Sequence, residues 1–164
     1  MIFVSVGTYA IGFDRLIREV DRLAADGIIK DVFCQIGGGT YIPTNTKYAR
    51  FITDGEMCEM ISASDFLIVH GGVGILSEAI KLNKKIIAFP KQKRHKDYFN
   101  DHQLEIVTYL EKKGMILAAY ELKDLEVKIF EIPDFTPLKQ SSGNRIPLLI
   151  SEFIVEYESS RMRH

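Results

Sequence analysis

Short apolar runs that end on glycine recur along this chain, and between them apolar residues return at helical spacing. Residues 2–6 (IFVSV) meet Gly7, residues 32–36 (VFCQI) meet Gly37, Gly38 and Gly39, and residues 65–70 (DFLIVH) meet Gly71 and Gly72. Runs of this length, rich in β-branched side chains and apolar almost throughout, read as strands buried on both faces. Phe13, Leu16, Ile17, Val20, Leu23 and Ala24 repeat at the period of a helix, and Gly27 closes the stripe. Alternation of such strands with helices is the pattern of a parallel sheet covered on both sides. The expected fold is therefore α/β: a doubly wound, Rossmann-like parallel sheet in a single domain over residues 1–164.

The remaining elements follow the same logic. Residues 49–53 (ARFIT) read as a third strand, and Met57, Met60 and Ile61 as a brief helical face. A helix is expected over about residues 74–82. A fifth strand lies in KKIIAFP, stopped by Pro90, and a helix near residues 101–113 is closed by Gly114. MILAA supplies a sixth strand, and a weaker helix then gives way to a loop around Pro133 and Pro137. Asn144 reads as the cap of a last helix, about residues 145–158, with Pro147 in its first turn. Its stripe is Ile146, Leu149, Ile150, Phe153, Ile154 and Tyr157.

Composition bounds the function. With 164 residues and 46% apolar side chains, the chain can bury one real core, which argues against disorder. A formal charge of -1 gives no global attraction to nucleic acid, and no apolar run approaches the ~20 residues that span a bilayer. Cys34 and Cys58, far apart and outside any CxxC pair, read as two small buried thiols of a reduced, cytoplasmic protein. Met1 leads straight into a strand-like run, so no secretory leader is expected.

In a doubly wound sheet, ligands sit outside the carboxyl ends of the strands. Of the glycine loops at that edge, IVHGGVGILSEA is the most informative. A strand enters, small residues allow a tight turn, and a helix leaves with its free N–H groups outward. That arrangement receives a phosphate or pyrophosphate. It matches neither GxGxxG nor the Walker pattern. Glu78, about one turn into the helix, would repel a phosphate head-on but suits the two vicinal hydroxyls of a ribose beside it. His70, at the strand end, could offer an imidazole N–H to a phosphate oxygen. The competing readings are a packed turn, a surface glutamate favoured by the helix dipole and a structural histidine.

The motifs VSVGTYAIGFDRLI, QIGGG, SASDFLIVHGGVGILSEA and NDHQLEIVTYLEKKG, in this order, resemble the C-terminal, donor-binding half of GT-B glycosyltransferases. The likeness is closest to glycosyltransferase family 28, and within it to the small catalytic subunits of two-component UDP-sugar transferases of N-glycan or bacterial capsule and exopolysaccharide synthesis. The resemblance implies that Gly71, Gly72 and Gly74 take the donor pyrophosphate and Glu78 the ribose. It places His102 and Gln103 at the donor sugar or its phosphates, Gly7 and Thr8 in the first glycine loop near the interdomain cleft, and residues 51–57 beside the uracil. It also implies catalysis without a required metal or other cofactor. Plant-type relatives carry Asn-Ser where this chain has Gly74 and Ile75, so phosphate contacts here should be mostly backbone.

The same resemblance implies half of a cleft. A GT-B enzyme works between two Rossmann-like domains, and this chain has length for one. The expected protein is an inverting hexosyltransferase subunit acting on a lipid-linked acceptor. A membrane-anchored partner subunit would supply the acceptor half and hold this chain at the inner face of the membrane. His70 and His102 are the catalytic candidates. His95, Asp97 and Asp101 are nearby but unconvincing bases, and the base could belong to the partner. Lys84, Lys85, Lys91, Lys93, Arg94 and Lys96 crowd one stretch, either as a solvated loop or as a contact for diphosphates or an anionic membrane. A non-catalytic nucleotide-sugar-binding subunit and a UDP-sugar epimerase-like enzyme stand as alternatives.

Overall fold

The computed structural model describes residues 1–138, and the helix expected at about 145–158 lies outside them. Six strands form one sheet: β1 (Ile2–Ser5), β2 (Val32–Gln35), β3 (Lys47–Ala49), β4 (Phe66–Val69), β5 (Lys85–Ala88) and β6 (Leu117–Ala118). All pairings are parallel, in the order β3-β2-β1-β4-β5-β6. The helices are α1 (Asp14–Ala25), α2 (Asp54–Ala63), α3 (Val73–Lys81), α4 (His102–Lys112) and α5 (Leu122–Glu131).

Side chains alternate across each strand, and this splits the core into two layers. Val4, Cys34, Ile68 and Ile87 face Leu16, Ile17, Val20 and Leu23 of α1 and Leu125 and Ile129 of α5. Phe3, Leu67, Val69 and Ile86 face Ile61 of α2, Leu76 and Ala79 of α3, and Val107 and Leu110 of α4. The expected doubly wound sheet is thus observed. Chain direction across the sheet reverses between β1 and β4, which are neighbours. Their carboxyl ends therefore open a crevice where one connection leaves to each face.

Two local expectations are corrected. The third strand is Lys47–Ala49, not residues 49–53. Thr53 instead caps α2: its side chain accepts from Glu56 N–H, and Glu56 returns a bond to the Thr53 N–H. That reciprocal capping box draws Thr53 into a helix start and leaves Phe51 and Ile52 as a link. Of the two thiols, Cys34 is buried and pushed up to about 12 by desolvation, whereas Cys58 is exposed on α2. That helix buries only Ile61, so the position of Cys58 faces solvent.

Strands β2 and β3 are parallel yet joined without a helix, by residues 36–46. Carboxylates of α1 hold this return. Asp14 accepts from the N–H of Thr40 and Tyr41, and Asp21 accepts from the Tyr41 hydroxyl at 2.7 Å and Asn45 N–H at 2.7 Å. The loop's backbone polar groups thus find partners away from the sheet.

Candidate functional site

The crevice is built from three connections at the carboxyl edge. After β1 comes Gly7, at φ +80; after β4 come His70, Gly71 and Gly72; after β5 comes Lys91. Gly71 has φ +86, and a Cβ there would lie 2.9 Å from Val107 Cγ2, so only glycine fits. Gly72 is the residue before α3, with no side-chain cap and no acidic residue in the first turn. The first N–H groups of α3 therefore point from the positive end of the helix into the crevice. A Cβ on Gly74 would meet nothing within 4 Å, so the backbone there is open to an approaching ligand.

His70 sits between the two glycine loops. A Cβ on Gly7 would come within 2.7 Å of its Nε2, and one on Gly72 within 2.8 Å of its Cε1. Its Nδ1 lies 3.2 Å from the Ser5 carbonyl oxygen. A carbonyl only accepts, so Nδ1 carries the proton and neutral His70 turns a bare Nε2 lone pair toward the glycines. Burial pushes the imidazole down to about 4, and the charge of Lys91 acts in the same direction. At neutral pH, Nε2 accepts. It donates to a phosphate only after the ring takes a proton, which an incoming anion favours.

This environment has a measurable consequence. The folded His70 pKa lies below its unfolded value of 6.5, so the unfolded chain binds the proton first as pH falls. The associated stability is fully present above pH 6.5 and is lost on descending to about pH 4. The shift corresponds to about 3 kcal/mol. Denaturant unfolding at a series of pH values should show that His70→Asn loses about this much less stability than the parent between pH 7 and 4. Parallel pH profiles would contradict the burial of a neutral imidazole.

The Gly37, Gly38 and Gly39 loop serves the crevice indirectly. A Cβ on Gly37 would overlap the Gly7 carbonyl, one on Gly38 the Ala10 carbonyl, and one on Gly12 the Gly39 backbone. The second glycine loop is thus packed beneath the first and supports it. Gln35 completes the support: its Nε2 donates to the carbonyls of Gly7 at 3.0 Å and Arg50 at 2.9 Å, and its Oε1 accepts from Ser5 Oγ at 2.8 Å. Sequence reasoning passed over Gln35. Its signal was a lone polar side chain at the glycine end of an apolar run.

Of the other anticipated residues, Gln103 joins the crevice: its Cβ side packs on Gly71, and its Oε1 accepts from the Lys91 N–H at 3.2 Å. His102 lies on the exposed first turn of α4, with Nδ1 3.3 Å from Glu105. Thr8 is exposed beside Gly7. Glu78 is half-exposed on α3 with Lys81 3.3 Å away, and Phe51 is exposed past the end of β3. The supposed bases have structural duties. Asp97 binds Arg15 at 2.5 Å, Asp101 accepts from Lys93 N–H at 2.8 Å, and His95 lies 3.4 Å from Glu121. The basic crowd divides. Lys84 and Lys85 are at the opposite, amino end of β5, where they donate to carbonyls of Ser64 and Ile132, while Arg94 pairs with Glu121. Among the described residues no group of His, Cys, Asp and Glu is placed to hold a metal ion, and no helix is long and apolar enough to cross a membrane.

The family model of the glycosyltransferase family 28 C-terminal domain matches residues 1–143. The chain belongs to this family. No curated protein sequence matches it. Among solved structures, this family 28 domain is similar to ALG13, determined by NMR, with a TM-score of 0.59, 16% identity, and coverage of 87% of this chain and 90% of that one. It is also similar to the kitacinnamycin glycotransferase (TM-score 0.58, 15% identity) and to Acinetobacter baumannii MurG (TM-score 0.57, 15% identity). These cover 93% and 87% of this chain but only 37% and 42% of the respective proteins. At such identities the likeness establishes a shared fold, that of GT-B glycosyltransferases.

Proposed function

We propose that this family 28 domain is the UDP-sugar-binding, catalytic subunit of a two-component inverting glycosyltransferase with a lipid-linked acceptor. The observation that carries the reading is the uncapped start of α3 behind Gly71 and Gly72, at the point between β1 and β4 where the strand order reverses. Anions bind at such helix ends. In this reading Glu78, on the following turn, accepts from ribose hydroxyls while the diphosphate lies at the turn. Inverting transfer needs stabilisation of the departing nucleoside diphosphate as the sugar–oxygen bond breaks. Backbone amides of α3, its dipole and His70 serve that role, and the reading needs no metal. Gln103 and His102 serve the sugar end. The carboxyl edge forms one wall of a cleft, and the acceptor hydroxyl, with its base, comes from the other wall. A membrane-anchored partner subunit supplies that wall and holds this chain at the inner face.

Calorimetric titration with UDP and with pyrophosphate tests the assignment. Glu78→Ala should weaken UDP about tenfold, the scale of one hydrogen bond to a charged group, and leave pyrophosphate unchanged. Equal weakening of both by a folded variant would remove the ribose role of Glu78. Absence of UDP binding by the parent would overturn the donor reading.

A further inference from the structure

Lys91 is the least expected side chain at this edge. It is 1% exposed, although lysine almost never buries its ammonium without a carboxylate partner. Its Nζ donates to the Ile11 carbonyl at 3.2 Å, and Phe13 and Tyr98 present their rings at 5.5 and 6.0 Å. The nearby acid, Asp97, is engaged by Arg15 at 2.5 Å and by the Gln92 N–H. Arg15 keeps a further buried nitrogen, Nη1, without a partner. Among the described residues, the niche under the first glycine loop thus holds two cations, Arg15 and Lys91, against one carboxylate, Asp97. No acid faces it from the β4 turn, where His70 is neutral.

A surplus buried charge is costly, because desolvation outweighs one carbonyl and two ring contacts. The cost is offset when an anion arrives nearby in the same low-dielectric surroundings. The niche is tied to the crevice on both sides. Ile11 belongs to the loop that begins at Gly7, and the Lys91 N–H is held by Gln103, which packs on Gly71. The field of Lys91 already reaches His70, whose pKa it lowers.

We propose that Lys91 is the fixed countercharge of the diphosphate site, a positioning residue that acts through space from beneath the Gly7 loop. This rests on the donor reading above. It assigns to one buried ammonium the charge compensation that the glycine turn, which has no lysine or arginine, lacks. The preorganised charge strengthens as the leaving group gains negative charge, so it favours the transition state over the bound donor.

The test joins stability, binding and a spectroscopic readout in Lys91→Met, an apolar replacement of similar length. Replacing an unpaired buried charge in this way should leave the melting temperature equal or higher. UDP and pyrophosphate affinities should both fall about tenfold, uridine affinity should not change, and the His70 imidazole, followed by NMR, should titrate at higher pH. A merely structural lysine would give the reverse: lower stability with diphosphate affinity kept in whatever fraction folds. Loss of folding, or a stable variant that binds UDP like the parent, overturns the proposal and leaves the donor reading standing. Failure of the parent to bind UDP overturns both.

Discussion

Gly72→Ala should leave the sheet folded and reduce UDP affinity by roughly thirtyfold. The backbone at Gly72 has φ -69 and ψ 134, a conformation that alanine adopts freely, so the effect is not backbone strain. The new methyl would instead press on the His70 ring, at 2.8 Å from Cε1. The ring is held on two further sides. Gly7 stands close to Nε2, and Nδ1 is held by the Ser5 carbonyl. Either the ring breaks that bond or the turn shifts and carries the first amides of α3 with it. Overpacking of this kind costs about 1–3 kcal/mol of stability. Misaligning one charge-assisted bond to a diphosphate costs roughly 1.5–3 kcal/mol, which sets the expected loss of affinity. The mechanism predicts non-additivity: in a His70→Ala background, Gly72→Ala should add little to the loss. UDP affinity unchanged by Gly72→Ala alone would separate the glycine turn from the nucleotide site.

Much of this was legible in the sequence because it depends on patterns with a short period. Strands such as residues 2–6 and 65–70 are buried on both faces, so their apolar runs are continuous, and α1 shows its stripe through Leu16, Ile17, Val20 and Leu23. The glycine turn was readable for the same reason: a positive φ at Gly71 tolerates few other residues. Expectations failed where tertiary partners decide. ARFIT looks like a strand until Thr53 and Glu56 exchange capping bonds across a helix start. GGG stands among the glycine loops of the ligand edge, yet Gly12 and the Gly7 carbonyl occupy the space above it. Lys84 and Lys91 are seven positions apart but lie at opposite ends of β5, so no patch forms from them. Gln35 left one local sign, a polar side chain at the glycine end of an apolar run, and Lys91 left none, since the partners of both lie far away in the chain.

We propose that this family 28 domain supplies the donor wall of a cleft and needs another wall to transfer sugar. At the carboxyl edge stand the uncapped start of α3, Glu78 half-exposed on that helix, and the buried Lys91. Asp97 is held by Arg15 of α1 and Asp101 by the Lys93 N–H, so neither is free to act as a base there. The decisive measurement is transfer of labelled sugar from UDP-glucose, UDP-galactose and UDP-N-acetylglucosamine into the lipid fraction. The purified chain is assayed alone and after co-expression with the product of the neighbouring gene. The expected result is UDP binding but no lipid label from the chain alone, and both proteins in the membrane fraction with labelled lipid when they are produced together. Robust transfer to a lipid acceptor by the purified chain alone would contradict it.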